Sequence, residues 1–366
     1  MTATTPDPSI SSPSRESSLR VAILGATGLV GGKMARLLDE RSFPLTELVP
    51  LASARSASKT LRFRGADVPV REVSAEALEG IDLVLASAGD DVSREWLPIA
   101  AEKGAVCIDN TSAFRMAPGV PLVVPEVNSD RLADIRIGGG GAIIANPNCS
   151  TIQLVVALEP LRRAFGLERV LVSTYQSISG AGRAAVDQFQ SLSRGALEEG
   201  ASTPLDAGLP VFDVLPRIGD FDDAGHTSEE RKMIDEVPKI LGEDVPLDVT
   251  CVRVPVFTGH AESVVVQTRE PTSVAEAKLV LAGAPGLLLA AGGDLPTPAS
   301  ITDSLDVHVA RVRDSRTLEG GLQFWVVADN LLKGAAWNAV QIAEELVSSE
   351  AARRASNSAQ TGHAVA

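Results

Sequence analysis

Leu19-Arg20-Val21-Ala22-Ile23-Leu24-Gly25-Ala26-Thr27-Gly28-Leu29-Val30-Gly31-Gly32-Lys33-Met34-Ala35-Arg36-Leu37-Leu38 reads as a short apolar strand, a glycine turn and a helix in immediate succession. That order brings backbone N–H groups and a helix N-terminus to one point, an arrangement able to cradle a phosphate. The glycines fall in the pattern G-x-x-G-x-x-G instead of the commoner G-x-G-x-x-G. Glycine turns also serve backbone geometry alone; the flanking strand and helix are what point to a phosphate here. Gly25, Thr27, Gly28, Leu29 and Val30 are expected to surround a dinucleotide pyrophosphate.

Working outward, a second strand over residues 47–52 runs into Ser53-Ala54-Arg55-Ser56-Ala57-Ser58-Lys59. An NAD-dependent fold usually places an acidic residue here for the ribose 2′-hydroxyl, and this loop has none. The guanidinium of Arg55 with the hydroxyl of Ser56 suits a 2′-phosphate instead, so the expected cofactor is NADP. A solvated basic loop is the plainer reading of the same residues. Further strands at 81–86 and 105–109, with a helical stretch near 94–103 between them, predict a parallel, doubly wound Rossmann-type sheet. Its ligands should gather at the carboxyl ends of the strands.

The apolar run 141–145 leads through Asn146-Pro147-Asn148-Cys149-Ser150-Thr151 into a helical pattern. Cys149 therefore stands where a strand ends and a helix begins, where unpaired N–H groups and the helix dipole favour thiolate. A buried, unreactive thiol is the alternative. Of four histidines, His226 lies in a polar loop, His308 in a strand and His363 in the C-terminal stretch. His260 falls between strand-like runs at 250–256 and 263–266, on an expected turn where functional side chains are often exposed. It is one candidate for a proton carrier.

Composition narrows the classes. The chain has 366 residues, enough for two domains, and its formal charge of −14 argues against a nucleic-acid partner. No apolar run approaches the length of a membrane span. Cysteines at 107, 149 and 251 match neither a disulfide framework nor a metal-ligand spacing, so a reducing, cytoplasmic setting and no metal are expected. Residues 1–18 are rich in Ser, Thr and Pro and are expected to form a disordered tail, with residues 351–366 loose as well.

Six segments occurring in order carry a resemblance: Gly25 to Gly31, Asp109 to Met116, Asn146 to Thr151, Tyr175 to Gly182, Glu229 to Lys232 and Arg253 to His260. Together they resemble the bacterial aspartate-semialdehyde dehydrogenase family. That resemblance implies NADPH-dependent reductive dephosphorylation of L-aspartyl-4-phosphate through a thioester on Cys149, in lysine, threonine and methionine synthesis. It implies His260 as base, Gln176 orienting the substrate carbonyl, and Arg253 gripping the α-carboxylate. Arg115, Lys232 and Asn148 would meet phosphate, and Glu229 the ammonium. Ser179, Gly180 and Asn330 would approach the nicotinamide, although turn chemistry and helix capping account for those three equally from residues alone. Likewise Glu229 and Lys232 by themselves read as a surface ion pair, and Arg115 as a surface arginine.

The domain plan expected is a cofactor domain over 19–149 and an α+β substrate and dimerisation domain with a mixed sheet over 150–329. A helix over 330–350 would then return to the first domain. The resemblance implies a homodimer or a dimer of dimers. The rival readings are an N-acetyl-γ-glutamyl-phosphate reductase, whose cysteine loop usually reads N-P-G-C-Y, and a catalytically silent NADP-binding paralogue.

Overall fold

The computed structural model describes residues 19–199 and 209–362. The expected N-terminal tail and His363 lie outside the described residues. Six parallel strands form the first sheet in the order β5-β2-β1-β6-β7-β8, with β1 Leu19–Leu24, β2 Leu45–Ala52, β5 Arg71–Glu72, β6 Leu83–Ala86, β7 Val106–Asp109 and β8 Ala142–Ala145. A two-stranded hairpin, β3 Thr60–Phe63 and β4 Ala66–Pro69, lies beside it. Apart from the exposed, charged edge strand β5, the strands are short apolar runs that are largely buried, as a doubly wound parallel sheet requires. Helix α1, Leu29–Glu40, joins β1 to β2, and α2, Asp90–Glu102, joins β6 to β7.

After a short helix α3, Pro125–Asn128, the chain reaches β8 through a glycine run at 138–141. Gly141 has φ +79°, and a Cβ there would lie 1.9 Å from the Ala101 carbonyl oxygen. The chain passes the end of α2 too closely for any side chain there, which accounts for Gly141, the last glycine of a run that sequence alone leaves unexplained.

Helix α4, Cys149–Phe165, then crosses into the second sheet, whose order is β10-β9-β11-β14-β13-β12. Its strands are β9 Leu167–Gln176, β10 Leu247–Arg253, β11 His260–Thr268, β12 Leu287–Leu289, β13 Val307–Asp314 and β14 Gly321–Ala328. Pairing is parallel at both edges and antiparallel through the middle. One face carries Val170, Val172, Val264, Val266 and Phe324 into a core shared with α4. Helices α5 Arg183–Glu199, α6 Ser228–Leu241 and α7 Val274–Ala282 complete this part. Helix α6 starts where it does because Thr227 and Glu230 form a reciprocal capping box.

The last helix, α8, runs Trp337–Gly362 and packs Trp337, Val340, Ile342 and Leu346 onto the first sheet. Its backbone stays helical past residue 350, where the sequence reading ends order. Its start also differs from the expectation: Asp329, not Asn330, accepts the N–H groups of Leu331 and Leu332 at 2.9 and 3.1 Å.

Candidate active site

A cleft of about 420 Å³ opens where the carboxyl ends of the first sheet meet the second domain. Its wall includes Gly28, Leu29 and Val30 from the glycine turn, and Cys149, Asn148, Gln176, Arg115, Glu229, Lys232, Arg253, Ser179, Gly180 and Asn330. Five expected residues do not line it. Gly25 and Thr27 lie on the turn that ends β1, Arg55 and Ser56 sit in the turn after β2, and His260 is packed behind the wall.

The glycine turn fits a pyrophosphate on its own geometry. Gly25 has φ +90°, and a Cβ there would lie 2.3 Å from the Ser87 carbonyl oxygen. Helix α1 begins after Gly28 with no side-chain cap and no acidic residue in its first turn. Its first N–H groups therefore face the cleft, with nothing from the chain to neutralise them.

Around Cys149 the side chains are held by one connected set of bonds. Asn148 is the N-cap of α4: its Oδ1 accepts the N–H of Ser150 at 3.0 Å and of Thr151 at 3.4 Å. Those are the donors expected to stabilise a thiolate, and the cap takes them. Burial, with the charge of Glu229, pushes the Cys149 thiol up to about 12, against the pull of Arg115, Lys232 and Arg253. Burial and Glu229 thus oppose the thiolate that the helix start and the three cations favour.

Glu229 is the hub and not a surface residue. Its Oε1 accepts Asn148 Nδ2 at 2.8 Å and Gln176 Nε2 at 2.9 Å, and its Oε2 accepts Lys232 Nζ at 2.9 Å. Burial works against ionisation, yet the Lys232 charge and these hydrogen bonds bring its carboxyl down to about 2. Arg115 is buried too, against the expectation of a surface arginine. Its Nη1 meets Glu236 Oε1 at 2.9 Å, and its Nε donates to the Asn146 carbonyl at 2.9 Å. Glu236 also accepts the Asn148 N–H at 2.7 Å, so one carboxylate orients both a cation and the nucleophile's neighbour. Sequence reasoning missed Glu236, though residues 229, 232 and 236 have the spacing that shares one helical face.

Arg253 uses Nη1 to donate to the Ser177 carbonyl at 2.7 Å. Its Nε and Nη2 form no hydrogen bond among the described residues, which leaves a fork for a ligand.

His260 opens β11 and is 0% exposed, not on an open turn. Its Nδ1 accepts the Ser177 N–H at 3.0 Å, with Ser177 Oγ at 3.1 Å. An acceptor at Nδ1 places the neutral ring's proton on Nε2, and Nε2 has no partner. A Cβ on Gly180 would lie 3.3 Å from both Nε2 and Cε1, so the ring edge stands directly behind that glycine of the cleft wall. Burial and Arg253 bring the imidazole down to about 3, which keeps it neutral. Asn330 Oδ1 accepts the Gly259 N–H at 2.8 Å and binds Ser177 and Ser179 hydroxyls, tying the loop before β11 to this wall.

A glycine turn without a cap, a thiol at a helix start and an array of fixed charges are what a nicotinamide-dependent oxidoreductase needs. Residues 20–135 match the semialdehyde dehydrogenase NAD-binding domain, and residues 158–333 the semialdehyde dehydrogenase dimerisation domain. The aspartate-semialdehyde dehydrogenase of Aquifex aeolicus is 47% identical over 336 residues, covering 90% of this chain and 98% of that one. Aspartate-semialdehyde dehydrogenase 2 of Vibrio cholerae is 48% identical over 330 residues, covering 89% and 97%. Among solved structures, aspartate semialdehyde dehydrogenase II from Vibrio cholerae complexed with ASA superposes with a TM-score of 0.85 at 46% identity, covering 90% of this chain and 98% of that one. The chain belongs to the aspartate-semialdehyde dehydrogenase family.

Proposed function

We propose that the chain reduces L-aspartyl-4-phosphate to the 4-semialdehyde with NADPH, releasing phosphate, with Cys149 as the nucleophile. The observation that carries this reading is the charge array at the sulfur. Arg253 offers two unengaged donor positions for an α-carboxylate, Glu229 an ionised carboxylate for an ammonium, and Lys232 with Arg115 cations for phosphate. An N-acetylated substrate has no ammonium for Glu229, which disfavours the acetylglutamyl reading. The intact nucleophile and its supports disfavour a silent paralogue.

The chain's residues act in sequence. An ammonium docking on Glu229 offsets the negative charge that holds the thiol up, so binding itself promotes ionisation of Cys149. The thiol proton passes to water in the open cleft, the sulfur attacks the carbonyl carbon, and the oxyanion that forms is met by the Nε2–H of His260. The acyl C–O bond then breaks, phosphate departs onto Lys232 and Arg115, and a thioester remains on Cys149. When bound at the glycine turn, the cofactor supplies the hydride that this thioester accepts. A second oxyanion meets the same Nε2–H, the C–S bond breaks and the aldehyde leaves with the sulfur again anionic. Neither step requires the imidazole to take up a proton. In this proposal His260 serves as a neutral donor, in the way a neutral histidine polarises a carbonyl in triosephosphate isomerase, where the family resemblance implies a base.

Arg55 and Ser56 are assigned the 2′-phosphate, and Ser179, Gly180 and Asn330 the nicotinamide end. A homodimer or dimer of dimers is the proposed assembly in the cytoplasm. Leu171 and Tyr175 lie exposed on the outer face of the second sheet, Tyr175 5.5 Å from the Trp325 ring, which supports self-association there.

The direct test is oxidation of aspartate semialdehyde with NADP or NAD, with and without phosphate. Phosphate-dependent turnover with NADP is the expected result; faster turnover of N-acetylglutamate semialdehyde would overturn the substrate assignment. Arg253→Lys keeps the charge and loses the fork, so kcat/KM for the semialdehyde should fall roughly 10- to 100-fold, from about 1.5–3 kcal/mol per charged hydrogen bond. NADP affinity should hold, and an unchanged kcat/KM would remove Arg253 from substrate binding.

Glu229→Gln carries a sign that can be checked without turnover. Removing a negative charge beside the thiol lowers its pKa, and below that pKa each unit multiplies the thiolate fraction about tenfold. Alkylation of Cys149 by iodoacetamide at pH 8 should therefore accelerate several-fold, while turnover falls for want of the ammonium partner. A slower alkylation would contradict the electrostatic account.

A further inference from the structure

Between β14 and α8 the chain makes a π-helical turn, Leu332–Ala336. Gly334 N–H donates to the Asp329 carbonyl and Ala336 N–H to the Leu331 carbonyl, both at 3.1 Å and both reaching five residues back. Such a widened turn is rare and sits disproportionately at functional sites. Here its inner edge lies on the nucleophile. A Cβ on Gly334 would be 2.8 Å from Cys149 Cβ and 3.2 Å from Cys149 Cα. Asn330, Leu331, Gly334 and Ala335 form part of the cleft wall.

Lys333, the next residue, is 0% exposed. Its Nζ meets Glu126 Oε1 at 2.8 Å and Oε2 at 2.7 Å, Asn338 Oδ1 at 3.1 Å and Gln341 Oε1 at 2.7 Å. Asn338 in turn donates through Nδ2 to Asn146 Oδ1 at 2.7 Å and to the Val123 carbonyl at 2.9 Å. Asn146 opens the loop to Cys149, and its carbonyl is the one that Arg115 holds. The turn therefore touches the nucleophile directly at Gly334 and, through Lys333 and Asn338, at the root of its loop.

We propose that this π-helical turn is a positioning element for the reaction, with Gly334 and Lys333 as its positioning residues. It fixes the sulfur against the wall that holds the nicotinamide end, so that one placement of the acyl carbon serves both attack and hydride transfer. The proposal rests on Cys149 being the nucleophile. A buried lysine anchored to four oxygens is a costly way to gain stability, since such pairs are often replaceable by apolar residues without loss. A turn that must hold one register near a reacting atom gains from the rigidity.

Gly334→Ala tests it. A displacement of about 1 Å at a reacting atom costs on the order of 100-fold in rate, so kcat should drop by about that factor. The dissociation constant for NADP should change less than about twofold, since a Cβ at Gly334 meets Cys149 and no residue of the glycine turn. The isotope effect from deuterium at the transferred position of NADPH should rise, because hydride transfer becomes the slow step, a change that mere loss of folded protein does not produce. Iodoacetamide should still modify Cys149, which separates failure of this proposal from failure of the nucleophile assignment. Should Gly334→Ala fold poorly, the double variant Lys333→Met/Glu126→Gln removes both buried charges, and the same increased isotope effect is expected. Wild-type kcat in a folded variant, or a lowered kcat with an unchanged isotope effect, overturns the proposal.

Discussion

Replacing Cys149 with alanine should abolish phosphate-dependent turnover, by a factor on the order of 10⁵ or more, the scale seen when a covalent nucleophile is deleted. NADP should bind with nearly its original affinity. The reason lies in the division of the site: the pyrophosphate cradle is built from β1, the glycine turn and α1, while the thiol belongs to α4 and contributes nothing to that cradle. Neither other cysteine can substitute. Cys107 and Cys251 are buried within strands, where burial pushes both thiols far up. A Cys149→Ala variant that retained most activity would exclude the covalent route altogether.

His260→Ala should lower kcat roughly 100- to 1000-fold, the usual effect of removing one donor to an oxyanion. The sharper expectation concerns what does not change. If the ring is a neutral Nε2–H donor, Cys149 ionises without it, and the pH profile of iodoacetamide modification should be the same in wild type and variant. A base acting on the thiol would shift that profile to higher pH on its removal. The ring's proton placement depends on Ser177, whose N–H occupies Nδ1. Among the described residues no carboxylate hydrogen-bonds this imidazole and its ring partners come from Ser177, consistent with a ring kept uncharged.

Much of this was legible in the chain before any coordinates. The strand, glycine turn and helix at 19–38 announce the cofactor domain because each part depends on neighbours a few residues away. The alternation of short buried strands with helices does the same for the parallel sheet, and the N-P-N-C loop for the position of the thiol. What escaped depends on pairing across long separations. Arg115 reads as a surface residue until Glu236, 121 residues later, is seen beside it. His260 reads as an exposed turn residue because nothing local shows β9 and the Ser177 backbone closing over it.

The electrostatic balance at the thiol also depends on its cap. A helix N-terminus favours a thiolate only if its N–H groups remain unclaimed, and Asn148 claims two of them. The π-helical turn left one sequence signal, a lysine within Leu331-Leu332-Lys333-Gly334-Ala335-Ala336. Its partner Glu126 lies 207 residues earlier, beyond any local pattern.

A covalent acyl group on the Cys149 sulfur can be seen directly. Incubating the protein with aspartate semialdehyde and NADP in phosphate-free buffer permits oxidation but gives the thioester no phosphate to leave with. Acid quench, digestion and peptide mass spectrometry should then find an aspartyl adduct on the peptide containing Cys149, discharged when phosphate is added before the quench. An unmodified Cys149 peptide alongside NADPH formation, or an adduct on Cys107 or Cys251, would contradict the account.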